Sequence, residues 1–199
     1  MKFKETVISK GFASEIDWQN DIRFSDVTEH DFLRETAWVT LSSGMREAVV
    51  RSRFPAISAA FYSWRSAAQI VRNSEQCKEC ALAVFHHRPK INAIISVAQC
   101  VVTAGFERFK KHIEQGGVDF IRRLPFMGPA TSYHLAKNIG LDVVKPDRHL
   151  LRVATAAGYE SPRRLCEHIA ESVGDRLSVV DLVIWRFATL NPSYEEYFI

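Results

Sequence analysis

The chain is poor in the features that would place it outside the ordinary globular proteins. No stretch approaches the 18 or so apolar residues that a membrane-spanning helix needs, and Met1–Lys10 mixes charged and apolar residues with no signal-peptide core. No membrane association and a cytoplasmic location are therefore the expectation. Four cysteines in 199 residues (Cys77, Cys80, Cys100 and Cys166) are too few for a disulfide scaffold. Cys77 and Cys80 form a lone C-x-x-C with no second pair, and His86 and His87 are adjacent. The pair can be redox-active, half of a zinc site, or two cysteines on neighbouring helical turns, the plainest reading. No segment alternates strictly between apolar and polar residues with turn signals on either side, which excludes a sheet of consequence. Low-complexity linkers and internal repeats are absent too.

What remains is ordinary and helical. With 47% hydrophobic and 25% charged residues the chain is neither disordered nor fibrous. Its length fits one large domain or two small lobes. Thr28, with Asp31 three residues on, predicts a helix start before a run from Phe32 to about Leu41. Apolar residues at Ile91, Ile94, Ile95, Ala98 and Val102 follow helical periodicity just after Pro89. Ser161-Pro162 predicts a cap and first helical residue for a helix to about Val173. Ser178 with Asp181 predicts the start of a last helix through Trp185 to Leu190. Residues 1–27 carry no clear assignment, and Val143-Val144 is too short for a strand.

The net charge is only +3, from 26 basic and 23 acidic residues. Its distribution is informative. Residues 117–158 carry six basic side chains (Arg122, Arg123, Lys137, Lys145, Arg148, Arg152) against three acidic ones (Asp119, Asp142, Asp147), which equals the surplus of the whole chain. This segment predicts a helix over 118–123, a hairpin Leu124-Pro125-Phe126-Met127-Gly128, and a second helix from Pro129 to near Gly140. A loop through Lys145-Pro146-Asp147 and a further helix to Ala157 follow. Such a hairpin suits a phosphate: Gly128 lets backbone approach backbone, and the next helix start offers unpaired N–H groups and a positive dipole end. That grip is independent of base sequence.

Leu124-Pro125-x-x-Gly128 and the run Lys145-Pro146-Asp147-Arg148-His149-Leu150-Leu151-Arg152 resemble the hairpin and the aspartate loop of the helix-hairpin-helix (HhH-GPD) DNA glycosylases. The D-R-H-L-L-R run is most similar to archaeal-type 8-oxoguanine DNA glycosylases. The close resemblance covers about 40 residues, with Gly128 and Asp147 separated by 19. It implies an all-α, two-lobed fold with a cleft between the lobes, in a single domain over 1–199. Residues 28–116 would form mainly one lobe, 117–158 the hairpin and aspartate loop, and the N-terminal residues with 159–199 mainly the other.

The resemblance also implies a chemistry. A base flipped from duplex DNA is cleaved at its N-glycosidic bond, with Asp147 as the catalytic carboxylate. Asp147 also suits an N-cap for the helix it precedes. The family's lyase lysine falls at Ala130, which cannot form a Schiff base, so a monofunctional enzyme without AP-lyase activity is implied. Lys145 and Lys137 are the lysines that leave residual lyase activity open; Lys145 is expected at a phosphate and Lys137 solvated or near DNA. The first hairpin glycine of the family is Phe126 here, which predicts a reshaped hairpin or a packing role for the ring. No organic cofactor is implied; K+ or Na+ at hairpin carbonyls near Leu124 and Gly128 is a family feature. The partner is double-stranded DNA with a modified base, met by a monomer.

DNA contacts are expected from Arg122, Arg123, Pro125, Phe126, Gly128, Ala130, Lys145 and Arg148. The turn Leu41–Arg46 would supply Met45 as a wedge and Arg46 as a reader, and its alternative is a plain interhelical turn. Arg51 and Arg53 could add phosphate contacts. Trp38, Tyr133, His134 and Trp185 are base-pocket candidates, with Phe54, Phe61 and Trp64 as further aromatics that core packing also explains. Oxidised guanine, alkylated purines, deaminated bases and bulky modified pyrimidines, including those of phage DNA, all stay open as substrates. Two readings compete: a non-catalytic helix-hairpin-helix DNA-binding module, and a purely structural helical-repeat protein.

Overall fold

The computed structural model describes residues 2–198, and the described residues form no strand. In chain order the helices are α1 (Lys2–Val7), α2 (Ala13–Asp21), α3 (Glu29–Ser42), α4 (Glu47–Ala60), α5 (Ala67–Arg72), α6 (Ser74–Val84), α7 (Arg88–Ala104), α8 (Phe106–Ile121), α9 (Pro129–Asn138), α10 (Arg148–Ala156), α11 (Pro162–Val173) and α12 (Leu177–Leu190). The protein is all-α. No single helix among the described residues is long and apolar enough to cross a membrane.

Local signals set most of the boundaries. Thr28 and Asp31 make the reciprocal pair of hydrogen bonds of a capping box at the start of α3. Ser161 caps α11 through the Arg164 N–H, and Pro162 takes the first helical position. Helix α8 begins at Phe106 and leaves helical geometry at Gly117 (φ +52°, ψ −137°), so it is two helices meeting at a kink. The part after the kink is the helix expected from Val118, and it ends at Ile121, two residues short of Arg123. The last helix starts at Leu177, one residue before Ser178. Its first turn is capped from outside, by the Asp142 carboxylate accepting the Ser178 N–H at 2.8 Å, so Ser178 and Asp181 are not its capping pair. Residues 2–21, which the sequence left unassigned, are mostly helical, with a break at Gly11 (φ +90°).

The chain divides into two compact units. The central unit, Ser25–Ile139, holds α3 to α9. Helix α3 packs on α7 and α9, α5 on α7, α4 on α6, and α8 on α9. Its core includes Phe32, Leu41, Ile57, Phe61, Trp64, Ile70, Phe85, Ile91 and Ile113, each almost fully buried. A side chain of this kind contributes about 1.5–3 kcal/mol relative to exposure. The terminal unit combines the chain's two ends, through Phe24 and from Gly140 onward. There α1, α2, α10 and α11 surround α12, over a core of Val7, Ile16, Leu150, Val153, Leu165, Val179, Ile184 and Phe187. Gly140 begins this unit at φ +82°, and a Cβ there would sit 2.7 Å from the backbone of Arg23 and Phe24, so only glycine fits.

Candidate functional site

In the central unit, α8 ends at Ile121 and the exposed Arg122 and Arg123 lead into the hairpin. The Met127 N–H donates to the Leu124 carbonyl at 3.1 Å, closing a four-residue turn with Pro125 and Phe126 at its centre. Pro125 suits the first central position because its φ is preset. The second central position carries positive φ, and Phe126 occupies it at φ +66°. This is a strained choice for a bulky side chain. The turn is therefore kept despite the loss of glycine, and the phenyl ring is held outward at 40% exposure.

Gly128 is the N-cap of α9 at an ordinary φ of −77°. A Cβ added there would meet only the Thr131 hydroxyl, at 3.8 Å. The fold of this unit does not require glycine at 128. The exposed Ala130 follows Pro129 in the first turn of α9, and no backbone bond is made by the N–H of Ala130 or Thr131 among the described residues. The Thr131 hydroxyl reaches the carbonyls of Phe126 (3.3 Å) and Gly128 (3.2 Å). The Gly128 carbonyl also accepts the Ser132 N–H at 3.0 Å. Of the two carbonyls expected near a cation, Leu124 accepts one N–H, while Gly128 accepts the Ser132 N–H and competes with Phe126 for the single Thr131 hydroxyl proton.

The turn between α3 and α4 exposes Met45 (38%) and Arg46, with Gly44 at φ +67°. Trp38, Tyr133 and His134 are half-buried in the same unit. Trp38 meets the Phe54 ring edge-on at 5.2 Å and lies under the Arg51 guanidinium at 5.4 Å. Phe61 and Trp64 are core residues, stacked at 4.9 Å, and Phe54 is buried beside them. Lys137 is buried at 9% exposure rather than solvated. Cys77 is buried and Cys80 exposed on α6. His86 and His87 lie in the turn before α7, and His87 accepts the Lys90 N–H as the helix cap. No group of three metal-binding side chains exists among the described residues. The exposed Arg51 pairs with Glu47 one turn away, and Arg53 is exposed.

In the terminal unit, Asp147 is the N-cap of α10. Its Oδ1 accepts the N–H groups of His149 (2.9 Å) and Leu150 (3.1 Å), while Oδ2 takes no hydrogen bond from the described residues. The loop before it is held at two points by α12. The Ser178 N–H reaches Asp142, and the Lys145 N–H donates to Asp181 at 2.5 Å. Arg176 adds bonds to the carbonyls of Gly140 (2.9 Å) and Ile22 (2.7 Å). Lys145 is half-buried and Arg148 exposed. His149 Nδ1 and the Tyr194 hydroxyl are 3.1 Å apart. Trp185 is half-buried, with the Arg186 guanidinium 4.7 Å from its ring.

Asp142 and Asp181 are the residues that sequence reasoning missed as loop holders. Asp181 had a signal: it is a lone carboxylate within the apolar run Val179-Val180-Asp181-Leu182-Val183-Ile184. At 2% exposure such a group must find donors. A surface depression lined by Tyr159, Glu160, Arg164, Glu167 and His168 contains none of the expected site residues. No protein-family model matches the chain, and no curated protein matches it significantly.

Proposed function

We propose that this protein is a DNA N-glycosylase of the helix-hairpin-helix type, releasing a modified base from duplex DNA without cutting the strand. The observation that carries the reading is Asp147. Its carboxylate is fixed by a capped helix and a twice-anchored loop, one oxygen is engaged by two N–H groups, and the other is left for chemistry. A carboxylate held this way can take a proton from an attacking water or face the positive charge that develops on the sugar as the C1′–N bond breaks. The water oxygen then joins C1′, and the base leaves with the bonding electrons.

Gly128 supports the DNA half of the reading. The fold leaves room for a side chain there, so its absence suits the close approach of something outside the chain; N–H groups without a backbone partner follow it, and two exposed arginines precede the hairpin. Ala130 occupies the position of the family's covalent nucleophile, and Lys137 is buried, which supports water as the attacking group. Incubation with duplexes that each carry one modified base tests this: strand breaks are expected only after alkali. A lysine–DNA adduct trapped by borohydride would contradict the monofunctional mechanism. The alternative, a DNA-binding module without catalysis, is favoured by one observation, that Asp147 already has a structural task as an N-cap.

A further inference from the structure

Lys90 stands where a lysine is least expected. It is the third residue of α7, at the positive end of that helix, and only 2% of its surface is exposed. Neither solvation nor the helix dipole favours an ammonium group there. Its partners explain it. The Nζ donates to the carbonyl of Leu41 at 2.7 Å and to the carbonyl of Ser43. These carbonyls lie at the C-terminal end of α3, which is electrostatically negative and lacks helical partners. The same nitrogen lies 5.7 Å from the centroid of the Phe126 ring, within cation–π range. The ring of His87, whose Nδ1 caps α7 through the Lys90 N–H, meets Phe126 edge-on at 6.2 Å.

We propose that Lys90 is a positioning residue that locks the Leu41–Arg46 turn and the Leu124–Gly128 hairpin into one preformed DNA-docking face. The three donors of one ammonium group serve two elements. Two carbonyls fix the turn that exposes Met45 and Arg46, and the remaining side of the cation faces the ring held outward by the strained Phe126 backbone. The two turn carbonyls offset the lost hydration of the ammonium group, and the hairpin's ring on its remaining side ties that cation to a second element. A face already rigid in the free protein spends less ordering entropy on binding. The consequence for DNA rests on the glycosylase reading, but the coupling itself is a property of the free protein.

Amide hydrogen exchange in the DNA-free protein reads the coupling directly. The Met45 N–H is bonded to the Ser42 carbonyl (3.0 Å) and the Met127 N–H to the Leu124 carbonyl (3.1 Å), so each amide reports one element. Lys90→Met should speed exchange at both, by about threefold or more at Met127, the fold-change expected for loss of a cation–π contact. The Ile139 N–H, bonded to Leu135 in α9, should be unchanged. Phe126→Leu keeps apolar bulk without the aromatic face and should speed exchange at Met45, because coupling between two sites is reciprocal. It carries the test alone if Lys90→Met does not fold. A change confined to Met45 in Lys90→Met, or no change at Met45 in Phe126→Leu, would overturn the proposal and leave Lys90 as a cap of α3. Binding to a duplex with an abasic analogue adds a separate readout. Lys90→Met should weaken it about tenfold with the salt slope unchanged, since no phosphate contact is removed. Failure of the wild type to bind would reject the DNA reading while the exchange data still decide the coupling.

Discussion

Asp147 is the N-cap of α10 and the proposed catalytic carboxylate, and the two roles separate by substitution. As an N-cap it offers Oδ1 to the N–H groups of His149 and Leu150. Asparagine offers the same carbonyl-type oxygen and ranks with aspartate as a cap; alanine offers none. Loss of an N-cap side chain costs about 1 kcal/mol, and loss of a negative charge beside a helix N-terminus about 0.3–1 kcal/mol. Asp147→Ala forfeits both, roughly 1.5 kcal/mol, and Asp147→Asn only the second. For a chain of this length, one kcal/mol shifts Tm by about 2–4 °C. Thermal unfolding followed by circular dichroism should therefore show a loss of about 4 °C for Asp147→Ala and about 2 °C or less for Asp147→Asn. Equal destabilisation by the two would refute the argument, because the charge would then matter to the fold through a contact other than the cap. With the expected pattern, loss of activity in the well-folded Asp147→Asn reports on chemistry.

Three further outcomes follow from the same geometry. Gly128→Ala should fold with wild-type stability to within about 0.5 kcal/mol, since its Cβ meets only the Thr131 hydroxyl, yet bind duplex DNA at least tenfold more weakly; unchanged affinity in anisotropy titrations would remove Gly128 from the interface. Arg122→Gln and Arg123→Gln should each weaken binding to every duplex alike and reduce the salt slope by about one; a change in which base is chosen would contradict a backbone role. Burial holds the Glu35 carboxyl above the ordinary glutamate range, despite the Arg34 charge and the Asn138 hydrogen bond that favour ionisation. The folded state therefore prefers the protonated form, and that contribution, complete below the unfolded pKa near pH 4, is lost as pH rises through the folded pKa. Urea unfolding should show Glu35→Gln gaining stability relative to wild type as pH rises above the unfolded glutamate pKa; parallel curves would contradict this.

The parts of the fold that the sequence discloses are those fixed within a few residues. The Thr28–Asp31 capping box, the Ser161-Pro162 start, the Leu124–Gly128 turn and the Asp147 cap each close hydrogen bonds over short spans, so side-chain type and spacing suffice. Ser178 with Asp181 has the same local spacing and a different outcome. The Asp181 carboxylate reaches the Lys145 N–H, 36 positions away, and the Ser178 N–H goes to Asp142, equally distant. No short-range pattern contains those pairings. Buried lysines are concealed for a related reason. Lys137 reads as solvated or near DNA until helix packing covers it, and no local pattern marks Lys90 as buried; in Lys90 a pair of distant carbonyls offsets the loss of hydration. Phe126 shows the opposite case, in which a side chain foreign to the turn leaves the turn in place and adds a ring outside it.

The central claim is that Asp147 drives release of a base. The most direct measurement is chromatographic detection of free base from a set of duplexes, each carrying one modified base, with wild-type protein and Asp147→Asn side by side and duplex binding measured for both. The account predicts that wild type releases a base from at least one duplex, leaving an alkali-labile site, while Asp147→Asn binds that duplex and releases none. Equal release by both proteins, or binding by wild type with no base released from any duplex, would contradict it.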